Sequence, residues 1–264
     1  MSTSSSLHDR LGRWAVVAGA SEGLGAAFAE ALARAGFDLV LVARRVDMLE
    51  ARADELRNRC GVEVRTLALD LAQTDAITRL VAATATLEVG LAIYNAAYAP
   101  LGPLLERTTA ELERVVAVNV RGPLQFARAF AAPMSVRRRG GIVLVSSLAG
   151  QQGTPRLASY AASKAFSSVL AEGLWAELRG LGVDVLAVCA GAIRTPGYQA
   201  RAGVREAPGT LDAAAVAAAT LRALGRGPRV IPGWLNRIAS WILGRMLPRR
   251  VAIAIMASST EGLS

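Results

Sequence analysis

The chain has 264 residues, 53% of them hydrophobic, and a net charge of +9 from 30 basic against 21 acidic side chains. That length suffices for one α/β domain with a sizeable core, while Asp, Glu or Arg interrupts every apolar run long enough to cross a bilayer. Dispersed basic residues and an aromatic content of 5% argue against a nucleic-acid surface and for a solvated, Arg-rich exterior that steers small anions.

Cys60 and Cys189 stand far apart and offer neither a disulfide framework nor a metal-ligand spacing, and His8 is the only histidine. A Ser-His-Asp hydrolase and a histidine metal site therefore lack their central residue, and no metal is expected. Of the 30 basic residues 29 are Arg, so Lys164 stands alone. In such a chain a single lysine marks a place where size, donor geometry or a tunable pKa excludes arginine.

In chain order, Met1 to Arg10 is Ser-rich, lacks the apolar stretch of a secretory signal and reads as part of a flexible leader over residues 1–12. Strands are expected at Trp14–Ala18, Asp38–Ala43, Glu63–Leu69, Leu91–Tyr94, Gly141–Ser146, Val183–Cys189 and Arg229–Ile231, several as the continuous apolar runs of buried parallel strands. Between them Gly23–Ala35, Val46–Asn58, Asp75–Thr84, Thr108–Ala131, Ala158–Arg179 and Asp212–Leu224 carry helical spacing or composition. The alternation describes one Rossmann-type, doubly wound α/β domain over residues 1–264, with a seven-stranded parallel sheet and helices on both faces.

The first strand runs into Gly19-Ala20-Ser21-Glu22-Gly23-Leu24-Gly25 and then a helix. Glycines there let backbone amides approach a pyrophosphate, and the helix start offers unpaired N–H groups and positive dipole. The spacing is G-x-x-x-G-x-G, which differs from the commoner G-x-G-x-x-G, and a tight turn with incidental glycines is the plainer alternative. The second strand ends at Ala43, without the acid that would bind a ribose 2′-hydroxyl, and continues into Arg44 and Arg45. A 2′-phosphate suits Arg44, helped by the Ser21 hydroxyl, so NADP(H) is the better electrostatic match than NAD(H). Glu22 complicates this unless it points to solvent.

Tyr160-Ala-Ala-Ser-Lys164 places a phenol and an ammonium four residues apart on one helix face. The cation favours the tyrosinate and moves the phenol from its reference pKa of about 10 toward a range useful for proton exchange with a carbonyl or alcohol oxygen. With the preceding strand ending in Ser146-Ser147 and the glycine turn upstream, the chain resembles the short-chain dehydrogenase/reductase family from Trp14 to about Ile231.

That resemblance implies Tyr160 as general acid/base, Lys164 as the group that lowers its pKa and bonds the nicotinamide ribose, and Ser147, with twelve residues between it and Tyr160, as the group polarising the substrate oxygen. It implies Asn119, in Val118-Asn119-Val120, as the helix asparagine that holds a proton-relay water. It places Gly19, Ser21, Gly23, Leu24, Gly25, Arg44, Asp70, Leu71 and Asn95 around the cofactor. Ala190-Gly191-Ala192-Ile193-Arg194-Thr195 resembles Pro-Gly-x-x-x-Thr, in which Gly191 marks the turn and Thr195 bonds the nicotinamide amide. Departures are Ala190 for Pro, Ala18 for Thr, and Tyr94-Asn95-Ala96-Ala97 where the family usually has Asn-Asn-Ala-Gly.

These residues imply hydride exchange between NADP(H) and a carbonyl or secondary alcohol, with residues 196–211 as a substrate loop. The C-terminal extension, residues 232–264, alternates Trp234, Ile238, Trp241, Ile242 and Met246 with Arg237, Arg245, Arg249 and Arg250, and Pro248 should break it. It reads either as a helix over the cleft or at a subunit interface, or as peripheral contact with an anionic membrane. Either suits an apolar substrate. An N-terminus unlike a secretory signal leads to the expectation of a cytoplasmic location, and the resemblance implies a homodimer or homotetramer; the alternative function is a catalytically silent dinucleotide sensor or membrane-associated binding protein on the same fold.

Overall fold

The computed structural model describes residues 7–202 and 206–261. Helix α1 (Leu7–Leu11) leads into β1 (Trp14–Ala18), α2 (Gly23–Arg34), β2 (Asp38–Ala43), α3 (Val46–Cys60), β3 (Val64–Ala68), α4 (Ala76–Thr84) and β4 (Val89–Tyr94). The chain continues through α5 (Thr109–Val116), a π-helical turn (Ala117–Arg121), α6 (Gly122–Arg137), β5 (Gly140–Ser147), α7 (Ala158–Leu178) and β6 (Val183–Ala190). A short pair, β7 (Ile193–Arg194) and β8 (Leu211–Asp212), flanks α8 (Pro196–Ala202). Last come α9 (Ala213–Ala223), β9 (Arg229–Val230), α10 (Trp234–Trp241), a second π-helical turn (Ile242–Met246) and α11 (Arg249–Glu261).

Seven strands form one parallel sheet in the order β3-β2-β1-β4-β5-β6-β9. Because β1, β2 and β4 are buried along their whole length, successive side chains feed two different cores. Ala15 and Val17 join Phe28, Leu32 and Leu49 beneath α2, α3 and α9, whereas Val16 and Ala18 join Phe126, Phe130 and Ala171 beneath α6 and α7. The sheet reverses its winding between β1 and β4, which opens a crevice at the carboxyl ends of the strands. Gly19, Arg44, Asp70, Asn95, Ser147 and Gly191 all lie at those ends.

All seven expected strands are present, β1 and β2 with the expected ends and the others with an end shifted by one or two residues. The single helix expected over Thr108–Ala131 is instead α5, the π turn and α6. Thr108 and Glu111 close a reciprocal capping box that starts α5, and the π turn then carries Asn119 into the interior, where it is 2% exposed. Part of the expected leader is also corrected. Leu7–Leu11 is helical because Leu11 is buried in the core and His8 Nδ1 donates to the Ala35 carbonyl at 2.9 Å; residues 1–6 lie outside the described residues. The expected substrate loop contains α8 and is bracketed by the β7–β8 pair, residues 203–205 being outside the described residues. Pro248 does separate the helices of the tail: Leu247 before it is extended, with φ −98° and ψ 140°. Among the described residues no helix is long and apolar enough to cross a membrane.

Candidate active site

Strand β1 delivers the glycine turn into the crevice. Gly19 adopts φ +85°, and a Cβ there would lie 2.8 Å from the Ala96 nitrogen. At Gly25 a Cβ would stand 1.8 Å from the Gly19 carbonyl oxygen, so α2 can pack against the turn only with glycine there. Asn95 Nδ2 donates to that same carbonyl at 2.9 Å and ties the end of β4 to the turn. Helix α2 starts with no side-chain cap from Glu22, which leaves its first N–H groups directed at the crevice. Thr195, at the start of α8, sits across the turn from Gly23, where an added Cβ would be 2.9 Å from its methyl group.

A cavity of about 280 Å³ adjoins this turn, lined by Ser21, Arg44, Asp70, Leu71, Arg114 and Tyr98 among others. Arg45, not Arg44, reaches Ser21: its Nη2 donates to the Ser21 hydroxyl at 3.2 Å and pairs with Glu22 at 2.8 Å. The Arg45 pairing neutralises Glu22 and leaves Arg44 unengaged by Ser21 or Glu22. Arg44 is exposed and makes no ion pair among the described residues. Arg114 grips both carboxylate oxygens of Asp70, at 3.1 and 2.8 Å, and lies 5.5 Å over the Tyr98 ring. Burial works against ionisation of Asp70, but the Ala72 N–H, the Arg114 bond and the charges of Arg114 and Arg44 outweigh it and hold the carboxyl below its usual range.

These features fit a nicotinamide dinucleotide: a cradle closed to any Cβ, uncapped amides for a pyrophosphate and a cation at the end of β2.

Beyond the cradle, β5 carries Ser147 to the rim, where its hydroxyl oxygen accepts from the Ala149 N–H at 3.2 Å and caps a short 3₁₀ turn, Leu148–Gln151. Helix α7 presents Tyr160 in its first turn and Lys164 in the next. The Lys164 Nζ lies 5.6 Å from the centre of the Tyr160 ring and donates to the Val145 carbonyl at 2.7 Å. Lys164 is 3% exposed, and burial lowers its pKa to about 8. The Ser146 hydroxyl donates to the Lys164 carbonyl at 2.6 Å and locks α7 onto β5.

Asn119 is held on three sides. Its Oδ1 accepts from the Tyr98 N–H at 2.8 Å, and its Nδ2 donates to the Tyr98 carbonyl at 2.8 Å and to the Ser163 hydroxyl at 3.1 Å. Ser163 in turn donates to the Tyr160 carbonyl at 2.7 Å, so the π turn and the Tyr160 turn of α7 share one hydrogen-bond chain. Tyr94, where the family usually has Asn, donates its hydroxyl to the Val118 carbonyl at 2.7 Å, and Gly122 leaves room for it. Burial raises the Tyr94 pKa, so this phenol stays protonated.

Arg45, Tyr98, Arg114 and Ser163 escaped the sequence reading as site residues. Ser163 alone carried a signal, being a small polar residue inside Tyr-Ala-Ala-Ser-Lys. Arg114 and Tyr98 lie in irregular or amphipathic stretches that give no hint of Asp70 or Asn119.

The family profile described as short chain dehydrogenase matches residues 13–203. A 7beta-hydroxysteroid dehydrogenase of Clostridium sardiniense is 35% identical over 188 residues, which are 71% of this chain and 72% of that protein. A very-long-chain 3-oxoacyl-CoA reductase of Podospora anserina is 34% identical over 94% of this chain and 75% of its own. Among solved structures, one from work on 7beta-hydroxysteroid dehydrogenase stereoselectivity superposes with a TM-score of 0.90 at 28% identity, covering 95% of this chain and 99% of its own. A short-chain dehydrogenase from Sphingobium yanoikuyae in complex with NADPH gives 0.76 at 32% identity, over 83% and 87% of the two chains. Profile, sequence and architecture agree: the chain belongs to the short-chain dehydrogenase/reductase family and is an NAD(P)-dependent oxidoreductase acting on CH–OH/C=O groups.

Proposed function

We propose that this enzyme exchanges a hydride between NADP(H), in preference to NAD(H), and the carbonyl or secondary alcohol of an apolar substrate. The observation that carries the reading is the pairing of Tyr160 with the buried Lys164 on one face of α7, beside a glycine cradle rimmed by Arg44. Gly19, Ser21, Gly23, Leu24, Gly25, Arg44, Asp70, Leu71, Asn95, Gly191 and Thr195 would hold the cofactor. When bound, NADP(H) supplies or accepts the hydride.

The remaining chemistry is proton handling. Tyr160 gives a proton to the carbonyl oxygen in reduction and takes it back in oxidation. The Lys164 ammonium stabilises the tyrosinate that reduction leaves, and with a pKa of about 8 it is mostly charged at neutral pH. Ser147 donates a hydrogen bond to the same substrate oxygen and withdraws charge from the carbonyl carbon. Asn119 holds the π turn against α7 through Ser163, which keeps the proton path behind Lys164 in register.

Apolar specificity is supported by the names of the relatives, which concern hydroxysteroids and very-long-chain acyl thioesters, and by Trp234, Ile238 and Trp241 exposed on α10. Those side chains, with Arg237 and Arg245, support peripheral membrane contact. Leu124 on α6 and Val169 on α7 are exposed apolar residues suited to a homodimer interface. A cytoplasmic setting suits the free Cys60 and Cys189.

The test is a fluorescence titration with NADPH and NADH, followed by a carbonyl panel of steroid ketones and long-chain 3-oxoacyl thioesters. The expected result is tighter NADPH binding and turnover that falls about a thousandfold in Tyr160→Phe with binding retained. Preference for NADH, or full turnover in Tyr160→Phe, overturns the reading.

A further inference from the structure

The family profile ends at residue 203, yet two turns of the candidate site within it, those at Ser147 and Gly191, rest against the chain beyond it. Gln151, the last residue of the turn capped by Ser147, makes a reciprocal pair with Ser240 of α10: Gln151 Nε2 donates to the Ser240 hydroxyl at 2.7 Å, which donates to Gln151 Oε1 at 2.9 Å. The Gln151 carbonyl accepts from Arg249 of α11 at 2.9 Å. Ala252 is fully buried, and a Cβ on Gly153 would be 3.8 Å from Ile253, so α11 packs against this turn.

Asn236 of α10, 5% exposed, donates to the Gly209 carbonyl at 3.0 Å and to that of Pro232 at 3.1 Å. A Cβ on Gly191 would approach the Asn236 side chain to 2.8 Å, and one on Gly209 to 2.4 Å, so both turns are shaped around this amide. One helix thus touches the Ser147 turn, the Gly191 turn and the end of the substrate loop.

We propose that α10 and α11 form a brace that positions Ser147 and the substrate loop, with Ser240 and Asn236 as positioning residues acting through Gln151 and Gly209. An untethered 3₁₀ turn of four residues has little to hold it, and a small misplacement of Ser147 costs rate without altering the cofactor cradle. The brace acts on the reaction inferred above, and its test has one arm that needs no turnover.

The experiment is hydrogen exchange on the full-length wild type, Ser240→Ala, Ser240→Thr, Asn236→Ala and Ile238→Ala. Ile238, 49% exposed on the same helix, serves as the control for general loosening. In Ser240→Ala, residues 148–153 should exchange about threefold faster or more, with 19–25 unchanged; Ser240→Thr should restore protection and Ile238→Ala should leave it intact. Asn236→Ala should do the same to residues 206–212. In the turnover arm, kcat should fall about threefold to tenfold in Ser240→Ala while NADPH affinity stays at the wild-type value.

Wild-type exchange in Ser240→Ala, an equal change in Ile238→Ala, or altered exchange with unchanged kcat overturns the brace. If exchange changes as expected but the wild type reduces no carbonyl, the brace stands and the proposed reaction falls.

Discussion

Arg45 folds back from the end of β2 to pair with Glu22 at 2.8 Å, and in doing so takes the acid of the glycine turn out of electrostatic play. Arg44, its neighbour, forms no ion pair among the described residues and faces the same cavity. The two arginines thus have different jobs. Arg44→Ala should weaken NADPH binding about tenfold and leave NADH binding unchanged, since only the 2′-phosphate loses a charge-assisted contact. Arg45→Ala should weaken both cofactors, because Glu22 then repels their shared pyrophosphate, and Arg45→Ala with Glu22→Gln should recover most of the loss. Titrations of each variant with both cofactors check this.

The buried Lys164 makes cofactor-free stability depend on pH in a defined window. Its folded pKa of about 8 lies below its ordinary value of 10.5, so between those values the unfolded chain binds the proton and the folded chain does not. Stability from this group therefore rises with pH across the window, and below about 8 the folded state carries the full cost of a buried charge. Lys164→Met should remove this dependence, shifting its stability relative to wild type by on the order of 2–3 kcal/mol between pH 7 and pH 10.5. Urea denaturation at the two pH values measures it; parallel pH profiles for the two proteins would contradict the assignment.

Gly25 offers a sharper steric test. An alanine there would put its Cβ 1.8 Å from the Gly19 carbonyl oxygen, a collision with backbone that no side-chain rotation relieves. Gly25→Ala should cost about 3 kcal/mol and abolish NADPH binding, because the turn and α2 must separate. A thermal melt with an accompanying titration decides; a variant with wild-type Tm would show that the turn yields more easily than this contact implies.

What could be read before the fold was known shares a physical character. The order of strands and helices follows from local periodicity. The glycine turn between β1 and α2 spans seven residues, and Tyr160 and Lys164 share a face because one helical turn separates them. Even the break at Pro248 is a property of two adjacent residues. In each case the relevant geometry is set within a few peptide units.

That Arg45 bonds Ser21 while Arg44 does not was invisible in the sequence, because the direction of exit from β2 selects between two adjacent arginines. The single helix expected over Thr108–Ala131 failed because an apolar, helix-favouring stretch does not reveal a π turn, which is held by contacts from Tyr94 and Ser163. Residues 7–11 read as a loose leader because their partners, Ala35 and the core around Leu11, come from other elements.

By itself, then, the sequence determined the element order, the cradle for a dinucleotide, and the phenol and ammonium on one helical face, all of them encoded over short spans. Only tertiary structure decided that Arg114 clamps Asp70 across 44 residues, that Asn119 reaches α7 through Ser163 across another 44, and that Ser240 fastens Gln151 across 89. Such pairs arise where the sheet and its helices bring distant backbone together, and burial then makes each unpartnered polar group costly enough to select its partner.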